Sequence, residues 1–579
     1  MKKLEKIRHS LAHLLAAAVL KKYPNTKLGI GPAIENGFYY DFKFPKPITF
    51  ENLKEIENTM REFIKQKLPF TGQKITTTKA KKLFKDQPFK LELIKEFVKE
   101  KKELKIYKTG NIFLDLCRGG HVKNTKEINP EAFKLTHLAG AYWRGNEKNP
   151  MLTRIYGVAF NNKKELDEYL KQEQEAKKRD HRKLGTELDL FVFSELIGPG
   201  LPLWTPKGTI IRNVLDDFVW ELRKKAGYQQ VDIPHLAKKE LYIKSGHWDK
   251  FKDDLFKITT REGTFFALKP MNCPHHIQIY ASKPRSYKEL PIRYANTTKV
   301  YRDEQSGELV GLTRVRAITQ DDAHVFCRRN QTKEEIKKIW DIIEKFYKTA
   351  GFSLRVRLSL RDPKKPQNYL GTPKLWKEAE SQLKTLVKEK KVNAFEAKGE
   401  AAFYGPKIDF IAKDSLNREW QVATIQLDMN MPERFNLYCI NEKGDKERII
   451  MIHAAIMGSI ERYLAILIEH YAGNFPTWLA PVQVKILAIS EKYQKYAQDI
   501  FKKLEEKNIR VELTDANETL NKRIRDSELQ KIPYLIIVGE KEEKNKTINV
   551  RKRHSKKSEE ISVEDFINKI TKEINSRKD

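Results

Sequence analysis

Residues 299–316 read KVYRDEQSGELVGLTRVR. Two strand-like halves flank a Gly/Ser-containing loop and carry Arg302, Glu304, Arg314 and Arg316. Such a hairpin can present guanidinium groups, which grip phosphate oxygens as a planar fork. Further on, GSIERYLAILIEHY (458–471) opens a helix with Gly458, Ser459 and Arg462 in its first turns. A helix N-terminus favours anions, and Arg462 adds a full charge. No GxxxxGKS or GxxxxGKT string occurs, so phosphate is not bound in a P-loop. The bland alternative for each arginine is a surface salt bridge, which the paired context disfavours.

Around these motifs, residues 184–480 form the longest block. Helical TIIRNVLDDFVWELRKKAG (209–227) precedes strand-like REWQVATIQLDM (418–429) and ERIIMIHAAI (447–456). Two prolines in GNFPTWLAPVQV (473–484) mark a boundary near 480. Residues 481–579 then alternate strand and helix, ending in the helix VEDFINKITKEI (563–574), which predicts a small α/β domain. At the other end, Ile7, Leu11, Leu14, Leu15 and Val19 fall at helical spacing. Strand-like GFYYDF (37–42) and NIFLDL (111–116) complete an α+β domain over 1–162. Residues 163–183, KKELDEYLKQEQEAKKRDHRK, read as an exposed helical linker.

The chain has 579 residues, 40% of them hydrophobic, enough for several cores. Lys plus Arg number 111 against 78 Asp plus Glu, a formal charge of +33 that attracts polyanions. A generally Lys-rich composition would give the same excess, so charge alone does not name the partner. Four cysteines make no disulfide framework and suit a reducing, cytoplasmic setting. No apolar run reaches the ~18 residues of a membrane helix. The N-terminal LLAAAVL faintly imitates a signal peptide, but Arg8, His9 and His13 interrupt it.

Two constellations carry metal or acid–base chemistry. His9 and His13, at i and i+4, share a helix face, and CRGGH repeats the interval with Cys117 and His121. The four could bind a metal, form an acid–base pocket, or be two unrelated pairs. Cys273 (KPMNCPHH), His324 (TQDDAHVFC) and His453 (IMIHAAIMGSIER) are too dispersed for a zinc finger. A Cys/His/His set leaves a fourth zinc position open. A lone Cys or His is more often structural.

Together these stretches closely resemble the threonyl-tRNA synthetases, class II aminoacyl-tRNA synthetases. The resemblance runs from RHSLAHLL (8–15) to VRKR (550–553). Its specific strings are GPAIENGFYYDF, LAGAYWRGNEKNPMLTRIYG, KPMNCP, GLTRVRAITQDDAHVFC, FYGPKIDF, ATIQLD and FPTWLAPVQV. It implies an α+β multidomain chain: an editing domain (1–162), a linker (163–183), an antiparallel-sheet catalytic domain (184–480) and an α/β anticodon-binding domain (481–579). Cys273, His324 and His453 match the family's zinc ligands, one Zn2+ per subunit. Arg302 matches the contact to substrate carboxylate and α-phosphate, and Glu304 the contact to the adenine edge. Arg314 and Arg462 match triphosphate contacts, with Gln421, Thr424 and Ser459 on the ATP side and Mg2+ accompanying ATP. Met271, Gln320, Asp322, Tyr404, Lys407 and Gln426 match the threonine pocket. His9, His13, Lys90, Asp115, Cys117 and His121 match the editing pocket, and Glu542 and Arg551 the anticodon-reading pair. Implied partners are tRNA(Thr), ATP, L-threonine and a second copy, with residues 201–234 at a homodimer interface. The basic stretch 539–557 is expected near tRNA phosphates.

Departures from the family are Ile318 in place of the aromatic under adenine, Ala317 for a customary Gly, and Ala454 for a common Arg. The chain also starts at the editing helix, as a shortened form without the small additional N-terminal domain.

Chemistry links the two constellations. A site that binds a hydroxyl rejects valine strongly, whereas serine lacks only a methyl, a difference worth about 10–200-fold. Misacylation with serine therefore calls for a second, hydrolytic site. Rival readings are an RNA-binding regulator that kept the fold without catalysis, a serine or proline synthetase, and a stand-alone hydrolase. Intact Arg302, Arg314 and Arg462 weigh against the first, the Cys/His/His set and first domain against the second, and residues 184–579 against the third.

Overall fold

The computed structural model describes residues 2–555 and 557–577, so Lys556 of the basic stretch 539–557 lies outside the described residues. Two compact units divide the chain at 174/175.

In the first unit, the helix Lys3–Lys22 buries Leu11, Leu14, Leu15 and Val19. They pack with Phe38, Tyr40, Phe42, Ile56, Met60, Phe133 and Ile155. Gly37–Lys43 and Phe133–Tyr142 flank Met151–Ala159, all antiparallel. A separate three-stranded sheet holds Phe70–Lys74, Lys105–Thr109 and Phe113–Leu116.

The charged segment 163–183, expected as an exposed helical linker, is helical but broken once. The helix Lys163–Arg179 stops where Asp180 leaves the helical region (φ −50°, ψ 121°) and accepts a hydrogen bond from Arg182 N at 2.8 Å. Asp is a favoured N-cap, and here it starts a new helix, His181–Glu187. His181 is buried, not exposed.

The second unit is built on an eight-stranded sheet. Its order is Gln229–Gln230, Ile292–Tyr301, Ala317–Cys327, Ile450–Ser459, Glu419–Asp428, Lys407–Lys413, Ser353–Leu360, Ala394–Lys398. Only the two edge pairs are parallel. The helices Pro206–Lys225, Thr332–Thr349 and Ile460–His470 bury apolar stripes in the same core. This is the expected helix-flanked antiparallel sheet. The C-terminal part has the order Val511–Thr514, Val484–Ala488, Tyr534–Val538, Thr547–Lys552, Ser558–Ser562. Its first three strands are parallel, as strand–helix alternation demands.

Candidate active sites

Side chains two apart on a strand share a face. Ile318, Gln320, Asp322 and His324 therefore line one face of Ala317–Cys327, and Thr424, Gln426 and Asp428 one face of Glu419–Asp428. His453, on the strand between, is the register partner of both His324 and Gln426. His324 Nε2 and His453 Nδ1 stand 3.1 Å apart. Cys273, the first residue of the helix Cys273–Ala281, joins them, and the three ligand atoms lie within 4.8 Å of one another. All three residues are buried.

The far ring nitrogens are engaged elsewhere. His453 Nε2 meets Asp428 Oδ2 at 2.9 Å, and His324 Nδ1 meets His276 Nδ1 at 2.8 Å. Such outer partners fix tautomer and ring orientation, leaving the near nitrogens for an ion. Two nitrogens at ~2.05 Å from a tetrahedral ion stand about 3.3 Å apart, close to the spacing seen. Burial holds His324 well below the usual imidazole range, so it is neutral, the form that ligates. Burial also pushes the Cys273 thiol well above its usual range. A dication reverses that preference by deprotonating a coordinating thiol. The donor set fits a metal cofactor.

Arg302 adjoins this cluster. Its Nη2 lies 3.4 Å from Met271 Sδ and its guanidinium 5.0 Å from the Phe251 ring centroid. Arg302 Nε is buried without a hydrogen-bond partner among the described residues. Arg314 pairs with Glu304 at 2.6 Å and Glu308 at 3.2 Å. Arg462 donates from Nε to Thr313 O at 3.1 Å, and its backbone N–H meets Ser459 Oγ at 3.2 Å. Tyr404 stacks on His453, centroids 4.6 Å apart, and donates to Gln426 Oε1 at 2.6 Å. Asp322 accepts from Asn272 Nδ2 at 3.1 Å, and burial raises its pKa. Lys407, Gln421 and Thr424 converge on the buried Asp409 at 3.3, 3.0 and 2.9 Å.

His276, His247, Asp428 and Asp409 also belong to the site, without a motif in the sequence that singles them out. His247 Nε2 lies 3.5 Å from Cys273 Sγ. Strand alternation does place Asp428, two residues beyond Gln426, on the same face. The others depend on contacts between distant segments.

In the first unit, Cys117 Sγ lies 3.5 Å from His9 Nε2 and 3.3 Å from His121 Nε2. His13 completes the cluster, its ring centroid 4.2 Å from that of His121. Gly119 (φ +102°) and Gly120 (φ +93°) wind the CRGGH loop, and a Cβ at Gly119 would strike the Tyr107 hydroxyl. Lys90 and Asp115 form a buried ion pair at 2.6 Å, and Tyr40 OH donates to Asp115 Oδ2 at 2.5 Å. Burial lowers all three imidazole pKa values and pushes the Cys117 thiol up to about 11. At neutral pH these are neutral groups, and a thiol so held is a weak nucleophile.

Glu542 is buried and accepts from Gly539 N at 2.9 Å. Arg551 pairs with Glu528 and donates from Nε to Ser555 O at 3.0 Å.

Three family profiles match the chain. Residues 256–471 match the tRNA synthetase class II core domain (G, H, P, S and T), 483–573 the anticodon binding domain, and 104–156 the threonyl and alanyl tRNA synthetase second additional domain. A threonine–tRNA ligase of Gloeobacter violaceus is 49% identical over 560 residues, 95% of this chain and 89% of that protein. One of Flavobacterium johnsoniae is 48% identical over 573 residues, 98% of this chain and 88% of that protein. The chain belongs to the threonine–tRNA ligase family. It is thus an enzyme, a class II aminoacyl-tRNA synthetase that aminoacylates and edits, with tRNA, ATP and an amino acid as partners. Among solved structures, the RNA binding domain of Cryptosporidium parvum threonyl-tRNA synthetase has a TM-score of 0.65 at 37% identity, covering 68% of this chain and 98% of that one. A Giardia lamblia prolyl-tRNA synthetase bound to prolyl-adenylate shares the fold, with a TM-score of 0.55 at 17% identity, over 70% of this chain and 80% of that one. Among the described residues no helix of this ligase family member is long and apolar enough to cross a membrane.

Proposed function

We propose that the second unit activates L-threonine with ATP and transfers it to the 3′ end of tRNA(Thr), and that the His9/His13/Cys117/His121 cluster hydrolyses mischarged seryl-tRNA(Thr). The observation that carries this reading is the buried Cys273–His324–His453 cluster with Arg302 beside it. The three residues would hold one Zn2+ per subunit, which would supply Lewis-acid binding of the amino acid at its remaining positions.

In the first step the amino-acid carboxylate attacks the α-phosphorus of ATP and pyrophosphate leaves. A terminal ribose hydroxyl of the tRNA then attacks the acyl carbon of the adenylate, losing its proton as the ester forms, and AMP leaves. Arg302 draws carboxylate and α-phosphate together and offsets their charge; Mg2+ accompanies ATP. Glu304 and Arg314 neutralise each other across 2.6 Å. ATP exchanges that pair for adenine on Glu304 and phosphate on Arg314, with Arg462 as the second triphosphate contact. Tyr404, Gln426, Gln320, Asp322, Met271 and Lys407 surround the amino acid, and Gln421, Thr424, Ser459 and Ile318 the nucleotide. Positioning and fixed charge are the main catalytic devices.

We assign editing to residues 1–162, the linker to 163–183, catalysis to 184–480 and anticodon reading, through Glu542 and Arg551, to 481–579. A cytoplasmic homodimer completes the reading. Exposed Val192, Phe193, Leu196 and Ile197 beside residues 201–234 support the dimer.

The deciding assay is threonine-dependent ATP–pyrophosphate exchange, with and without a zinc chelator, alongside zinc analysis. Exchange lost with zinc and regained on its return is the expected result. No exchange with zinc bound would favour the regulator that kept the fold. Full exchange without zinc would remove the metal from the mechanism.

A further inference from the structure

We propose that His181, at the break in the linker segment, is a positioning residue for the nucleotide loop 302–316. Its imidazole is buried and used at both nitrogens. Nε2 accepts the Leu312 backbone N–H at 3.1 Å, so the ring proton sits on Nδ1, which donates to Glu469 Oε1 at 2.6 Å. The His181 backbone N–H donates to the same Glu469 oxygen at 3.1 Å. Arg418 engages the other carboxylate oxygen.

Glu469 lies near the C-terminus of the helix Ile460–His470, whose first turn carries Arg462. Arg462 holds the next loop residue, donating to Thr313 O at 3.1 Å. The loop is therefore fastened at two successive residues to both ends of one helix, directly through Arg462 and through the His181–Glu469 bridge. Gly311 (φ +47°) lets the backbone come this close, because a Cβ there would collide with His181 Nε2. Glu304 and Arg314, paired at 2.6 Å, lie on this same loop, so its place sets theirs.

The inference rests on the assignment of this loop to ATP. Three substitutions separate the two ring nitrogens. Asn places a donor near the Nδ1 position and keeps the Glu469 bond alone. Gln places an acceptor near the Nε2 position and keeps the Leu312 bond alone. Ala keeps neither. Expected for His181→Ala and His181→Asn is a KM for ATP raised about five- to tenfold in pyrophosphate exchange, the value of one hydrogen bond. The KM for threonine, the zinc content and seryl-tRNA hydrolysis should not change. His181→Gln should restore the KM for ATP. Hydrogen exchange should show the Leu312 amide deprotected in the Ala and Asn variants and protected in the Gln variant. Gly311→Ala, which leaves His181 intact, should raise the KM for ATP as well and keeps the test open if a His181 variant misfolds. A wild-type KM for ATP in His181→Asn, or in Gly311→Ala, overturns the inference, as does a His181→Gln as impaired as Ala with its Leu312 amide protected. Arg314→Ala serves as the control. If it leaves the KM for ATP unchanged, the ATP assignment itself fails.

Discussion

Asp428 and His276 grip the two imidazoles of the Cys273–His324–His453 cluster by their far nitrogens. Removing either partner frees a ring to rotate. Asp428→Asn or His276→Ala should weaken metal retention about 10–100-fold while leaving all three ligands in place. Chelator competition measures it, and an unchanged zinc affinity would show that the outer contacts are incidental. Cys273→Ser should abolish zinc binding and threonine activation together. In the first unit, Lys90 and Asp115 are paired away from water. Lys90→Met leaves a buried carboxylate without its cation, which costs about 3–5 kcal/mol. Faster hydrogen exchange across residues 105–116 is the expected signature. At this scale the sequence showed which residue types were present and which motifs held them. It did not show that His276, one of two adjacent histidines after Cys273, faces His324 while His275 does not, because that depends on how the helix Cys273–Ala281 sits against the sheet.

At the scale of elements, the same four-residue interval has two origins. His9 and His13 share a face because Lys3–Lys22 is a helix, which the apolar spacing predicted. Cys117 and His121 meet because two left-handed glycines fold the loop back, a geometry without a periodicity to read. A His9→Ala, His13→Ala double variant should charge threonine normally and accumulate seryl-tRNA; unchanged clearance of seryl-tRNA would end the editing assignment. The cluster also sets a pH dependence. Burial lowers the folded pKa of His9, His13 and His121 below the unfolded value of ~6.5. The unfolded state then binds more protons, so stability is full above that value and is lost as pH falls below it toward the folded values. Protection of the Lys3–Lys22 amides, corrected for intrinsic exchange, should fall between pH 7 and 5.5, and an unaltered protection would mean these imidazoles are not held neutral. The charged helical segment breaks at Asp180 for a local reason. A single N-cap interrupts a run of helix-favouring charge, and the following histidine is hydrogen-bonded to a carboxylate 288 residues away.

Over the whole molecule, a net charge of +33 makes tRNA affinity steeply dependent on salt. The proposed dimer would rest on apolar surface instead. Leu196 is 99% exposed, and its neighbours in sequence Ile197, Phe193 and Val192 are exposed too, the kind of apolar surface a partner would cover. Leu196→Asp should shift the protein toward monomer in light scattering; an unchanged mass would place the interface elsewhere. The sequence by itself determined the family, the order of motifs and the strand alternation that puts Ile318, Gln320, Asp322 and His324 on one face. Only the tertiary structure decided that His324 faces His453, that Asp409 gathers Lys407, Gln421 and Thr424, and that His181 reaches the loop 302–316 at Leu312. Alternation gives the period of a strand, whereas register is set by pairing and burial across segments far apart in the chain.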